Sequence, residues 1–114
     1  MDAMELVLLY DYYGDLLTDR QKECFELRYH QDMSLGEIGE ELGITRQGVH
    51  DNLSRAEQLL RTMEEKTGCV RRDLAGRRAV AEILSAAEAL ESCKDETVIA
   101  LARKIASAAR ALEE

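Results

Sequence analysis

Five polar side chains fall within one short run, Thr45, Arg46, Gln47, His50 and Arg55. Their types suit a nucleic acid. A guanidinium can fork onto guanine or phosphate, and a carboxamide can pair with adenine. A second basic group follows at Arg71, Arg72, Arg77 and Arg78, and on a helix Arg71 and Arg78 share a stripe seven residues apart. Such a group could meet RNA phosphates. Both sets also fit an ordinary solvated face, in which Arg46 and Arg55 pair with Glu41, Asp51 or Glu57 at little energetic gain. Other chemistry is thinly represented. His30 and His50 are the two histidines, and there is no G-x-S-x-G, no P-loop and no metal-spaced Cys/His pair. The expectation is a non-enzymatic protein with no metal site and no cofactor. Tyr10, Tyr12, Tyr13 and Tyr29 could stack on bases, but their helical spacing points to a core role for most of them.

The elements that must position these residues read as helices throughout. The chain has no proline, one Phe and no Trp, and 46% of its residues are apolar. An all-α fold with an aliphatic core follows. Leu6, Leu9, Tyr10 and Tyr13 mark a first helix over about 4–13 that Gly14 ends. Thr18 and Gln21 form a capping box for a second helix reaching about His30, and Ser34 and Glu37 form another for a third. Leu35, Ile38, Gly39 and Leu42 give that third helix one apolar stripe, and Gly43 suits the left-handed turn that stops it. Thr45 then caps a fourth helix running to about Lys66, with Gly68 just beyond.

Two helices joined by a short turn, with a small residue at Gly39 where they cross, make a helix-turn-helix over 34–55. Val49 and Leu53 anchor the second helix, which leaves Arg46, Gln47, His50, Asp51, Ser54 and Arg55 facing outward. The fourth helix outruns the motif. Its Val49, Leu53, Ala56, Leu60 and Met63 step by four and three, the seam of a bundle or a coiled coil. That seam can pack on the chain's own helices or on a second copy. Beyond Gly68 the chain predicts a tail of two more helices. Val80, Ile83, Leu84 and Ala87 mark one apolar face, and Val98, Leu101, Ala102, Ile105, Ala109 and Leu112 mark the other. The expected division is 1–66 for the helix-turn-helix domain and 67–114 for a helical tail, a dimerisation or partner-binding appendage.

Charge bears on the partner. The chain has 15 basic and 23 acidic side chains, a net charge of −8. Residues 1–17 hold four acids and no base, residues 18–66 eleven acids and seven bases, and residues 67–114 eight of each. The half that contains the helix-turn-helix therefore repels a polyanion on average. Cys24, Cys69 and Cys93 are odd in number and far apart, which suits free thiols in a reducing cytosol. The acidic N-terminus and the lack of a long apolar run predict a soluble cytoplasmic protein without membrane insertion.

The run LTDRQKECFELRYHQDMSLGEIGEELGITRQGVH resembles the helix-turn-helix of bacterial sigma-factor region 4. With the flanks LLYDYYGDLLTDRQ and HDNLSRAE, residues 6–66 resemble the YlxM family, small proteins associated with the bacterial signal recognition particle. The tail contributes only helical character to this likeness. Family members usually carry alanine at the positions of Gly39 and Gly48. The resemblance implies a gene beside that of the particle's GTPase and a regulatory role in co-translational targeting. It implies as partner that GTPase or its RNA. The expectation is an adaptor of that pathway, homodimeric through the apolar seam or the tail. The alternative is a transcription regulator reading DNA through Arg46, Gln47, His50 and Arg55, which the charge disfavours.

Overall fold

Short polar side-chain caps start five of the six helices. The computed structural model describes residues 2–113 and contains, among them, six α-helices and one 3-10 turn with no strand. Helix α1 spans Ala3–Tyr13, and the Asp2 carboxylate accepts from the Glu5 amide at 2.8 Å. The 3-10 turn Gly14–Leu16 follows, then α2 over Asp19–Tyr29. Thr18 Oγ1 accepts from the Gln21 amide at 3.2 Å, and the Gln21 side chain accepts from the Thr18 amide at 3.0 Å. The same reciprocal box, Ser34 with Glu37, opens α3 over Leu35–Leu42. Helix α4 spans Arg46–Thr67 and closes on Gly68, whose φ of 63° is left-handed. Helices α5, Cys69–Glu91, and α6, Glu96–Ala111, complete the chain, the latter capped by Asp95.

The chain forms two compact units that divide between Val70 and Arg71, inside α5. In the first unit α4 is the central strut, touching α1, α2 and α3. Phe25, Ile38, Val49 and Leu60 are fully buried, with Cys24 and Ala56 beside them. The apolar seam of α4, Val49, Leu53, Ala56 and Leu60, is therefore filled by the chain's own helices, and no second copy is needed to cover it. Burying one such side chain is worth about 1.5–3 kcal/mol, so this seam is the main adhesive of the unit.

The tyrosines serve the same core. Tyr10 stacks on Phe25 with ring centroids 4.4 Å apart and planes 6° from parallel, and Tyr29 lies at 4.6 Å from the other side of the cluster. Their hydroxyls reach across the helices. Tyr10 donates to Glu26 at 2.6 Å, Tyr13 to Glu64 at 2.6 Å, and Tyr29 to Glu57. These rings are not laid out as a platform for bases.

In the second unit the buried side chains are Val80, Ala87, Ala102, Ala106 and Ala109. The expected apolar face of α6 is thereby corrected. Ala102 and Ala109 of that face are buried, with Ala106 beside them, whereas Leu101, Ile105 and Leu112 are exposed. Ile83 on α5 is likewise exposed, although Val80 and Ala87 are buried. Small side chains fill the inner face where larger ones would need more room between the helices. Arg110 to Glu88 at 3.3 Å and Arg103 to Glu91 at 3.6 Å tie α6 to α5. Cys24, Cys69 and Cys93 form no disulfide. No helix among the described residues is long and apolar enough to cross a membrane.

Candidate nucleic-acid interface

The turn between α3 and α4 is set by backbone needs. Gly43 sits at φ 70°, and the carbonyl of Gly39 accepts from the amides of Gly43 and Ile44. Only a residue without Cβ enters this region at no steric cost. Gly39 answers a different need. A Cβ there would lie 2.7 Å from the carbonyl oxygen of Ile44, so an alanine requires the turn backbone to shift. Gly39 lets α3 press onto the start of α4. Arg20, from α2, donates to the Leu42 carbonyl at 3.4 Å and steadies the same corner. No fixed spacing in the sequence signals that bond, because the partners lie on separate helices.

Thr45 is the cap of α4, its Oγ1 accepting from the Gly48 amide at 2.9 Å. Its oxygen is thus engaged in starting the helix, with one lone pair spent on that cap. Val49 and Leu53 face the core, while Arg46, Gln47, His50, Asp51, Ser54 and Arg55 are exposed on the outer side. Asp51 dominates this surface. Gln47 Nε2 donates to Asp51 Oδ1 at 3.0 Å, and His50 Nδ1 lies 3.6 Å from the same oxygen. Two of the candidate reading groups are therefore turned toward a carboxylate on their own helix. Arg46 and Arg55 have no ion pair among the described residues. Glu57, one candidate partner, is held instead by Tyr29 and Arg61. Asn52 also escaped notice in the sequence. It donates to the Gly48 carbonyl at 2.9 Å and reinforces the first turns of α4.

Leu35, Arg46, Gln47 and His50 line a shallow depression of about 370 Å³. Around it the supporting helix is acidic. Glu40 and Glu41 are exposed, and Glu37 is committed to the Ser34 cap. The Ser34 backbone amide, which donates to Glu37, is the main reason its carboxyl sits below the ordinary glutamate range. That carboxylate stays charged beside the reading face. The four other arginines belong to the second unit. Arg77 pairs with Asp73 at 3.2 Å, and at 100° per residue the four spread around much of α5. They do not make one concentrated patch. No group of three or more His, Cys, Asp or Glu among the described residues could hold a metal ion.

A capped three-helix core, a left-handed turn at Gly43 and a long second motif helix define a protein of the helix-turn-helix class. Within that class, residues 2–99 match the family described as YlxM / p13 like helix-turn-helix proteins, UPF0122, and the chain belongs to it. The match runs through α5 and into the first turn of α6, so the likeness is not confined to residues 6–66 as the motifs suggested. The chain is 58% identical over 71 residues to a UPF0122 protein of Thermoanaerobacter sp. (strain X514), covering 62% of this chain and 61% of that one. It is 48% identical over 85 residues to a UPF0122 protein of Desulforamulus reducens, covering 75% and 73%. With a UPF0122 protein of Symbiobacterium thermophilum it shares 34% identity over 110 residues, 96% of each chain.

Proposed function

We propose that this protein is a non-enzymatic adaptor of the bacterial signal recognition particle pathway. Its acidic helix-turn-helix unit would dock on the targeting GTPase or its ribonucleoprotein, in the cytoplasm. One observation carries the reading. On the outer face of α4, Asp51 engages Gln47 and His50, which leaves Arg46 and Arg55 as the two unpaired cations. A competent duplex site draws on about six to ten phosphate contacts. Two guanidinium groups amid Glu37, Glu40, Glu41 and Asp51 fall well short. An acidic surface suits a basic partner instead, because complementary charge speeds the encounter and rejects other partners. The choice of partner leans on the YlxM resemblance.

A DNA reader is the second reading, favoured by the exposure of Arg46 beside the depression it helps to line. A titration of the purified chain against the GTPase, with and without its RNA, and against duplex DNA separates the two. The adaptor reading expects GTPase binding that weakens as salt rises and survives in the Arg46→Glu, Arg55→Glu double variant. Absent or salt-indifferent GTPase binding counts against it. Tight, sequence-selective duplex capture that the double variant abolishes transfers the case to the DNA reader. Asp51→Ala removes the acceptor that Gln47 and His50 share and deletes one negative charge. It should raise weak duplex binding at low salt by roughly three- to tenfold, with GTPase binding retained.

A further inference from the structure

Helices α5 and α6 each carry a buried apolar stripe and a second, exposed one beside it. On α6 the inner stripe is Ala102, Ala106 and Ala109, all buried. Directly beside it run Val98, Leu101, Ile105 and Leu112, spaced by three, four and seven. On α5 the buried Val80 and Ala87 lie seven apart, and so do the exposed Ile83 and Leu90. Ile83, Leu90, Leu101, Ile105 and Leu112 of the outer stripes are 43% to 74% exposed, and Val98 is half-buried. Isolated exposed leucines need no explanation, but a heptad-spaced stripe on both helices of one unit does.

We propose that these outer stripes pack on those of a second copy of this chain, closing a four-helix bundle around a twofold axis. Each helix of such a bundle has two neighbours, and therefore needs two seams. Here the inner stripe is closed and the outer one is open. The unit Arg71–Glu114 buries mostly alanine, too little apolar volume to hold two helices firmly. Doubling it supplies the missing core.

The charges name the occupant. Residues 71–114 hold eight acids and eight bases, so two tails meet without net repulsion. Glu82 directly precedes Ile83, and Lys104 directly precedes Ile105. They flank the two outer stripes at the same relative place with opposite signs. Neither has an ion pair within the chain among the described residues. With α5 of one copy against α6 of the other, each Glu82 meets a Lys104, and the twofold axis makes the pair twice. The inference stands whether the first unit docks on a GTPase or on DNA.

Sedimentation equilibrium of the full chain across a broad concentration range tests it. The unaltered chain should fit a monomer–dimer equilibrium. Leu101→Glu with Ile105→Glu should raise the dissociation constant at least about tenfold, because charges would be trapped in the seam. Ile83→Glu with Leu90→Glu should do the same from the other helix. All four side chains are exposed in the single chain, so helicity by circular dichroism should be unchanged. Leu16→Glu, at an exposed leucine of the first unit, should leave the dimer intact. A monomer at every concentration overturns the proposal, as does a dimer indifferent to both stripe variants or one lost with Leu16→Glu.

Discussion

Three glutamates of an acidic protein are tied to tyrosines of neighbouring helices. Tyr10, Tyr13 and Tyr29 each donate a phenolic hydrogen to one of them, Glu26, Glu64 and Glu57. The bonds join α1 to α2, α1 to α4 and α2 to α4, so each one fixes a crossing of the first unit. Each phenol is held above its ordinary range, chiefly by burial and then by its carboxylate partner. For Tyr29 the pKa is pushed up to about 12 from 10.0. The folded chain thus keeps this proton more tightly than the unfolded chain does. The resulting stabilisation is complete below pH 10.0 and is lost as pH climbs through about 12. Tyr29→Phe should lower stability near neutrality by about 1 kcal/mol, a solvent-screened value for a half-exposed bond. It should also flatten the alkaline fall. Urea midpoints measured along a pH series in both proteins check this. An alkaline limb equally steep in the variant would remove Tyr29 from its cause.

At the level of the element, the helix ends explain why so much of the first unit can be read from the sequence. A cap is a local contract: Thr18 with Gln21, Ser34 with Glu37 and Thr45 with the Gly48 amide all close within three residues. Residue types at short spacing therefore fix the boundaries. The tail obeys no such local rule. On α6 the inner and outer stripes are one residue apart and both apolar, so only the space available between helices decides that Ala102 and Ala106 go in while Leu101 and Ile105 stay out. Periodicity alone cannot choose between them. The same holds for the α4 face. Its outward residues are legible, but not that Asp51 would draw in Gln47 and His50, which depends on rotamers. Two glycines of α3 and its turn give a paired test. Gly43→Ala places a Cβ at φ 70° and should cost about 1 kcal/mol. Gly36→Ala meets no atom within 4 Å inside a helix, and should gain roughly 0.5–1 kcal/mol. Thermal melts should move in opposite directions, by about 4–8 °C per kcal/mol. Matching shifts for both would show that the turn at Gly43 is not what holds the motif.

For the whole molecule, charge and core are divided very unequally. Residues 1–70 hold fifteen acids and seven bases, and so carry the entire net charge of −8, while residues 71–114 are balanced. The fully buried large side chains, Phe25, Ile38, Val49 and Leu60, also belong to the first unit. That unit has a core of its own and carries a net negative self-repulsion. A chain ending at Val70 should therefore fold by itself, sediment as a monomer and unfold cooperatively in urea. Its stability should rise with added salt, since screening over about 8–10 Å weakens repulsion among exposed carboxylates more than it weakens buried contacts. The rise should be modest, on the order of 1 kcal/mol, because exposed charges interact weakly even when unscreened. Phe25→Ala in this shortened chain should cost about 3–5 kcal/mol, comparable to the whole stability of so small a unit, and leave it largely unfolded. Circular dichroism of the truncated chain through a urea series, at low and high sodium chloride, reads all of this together. A shortened chain that melts without cooperativity would mean that the tail supplies core to the first unit. A midpoint that falls with salt would mean that pairs such as Lys22 with Asp15 and Arg61 with Glu57 outweigh the surplus of carboxylates.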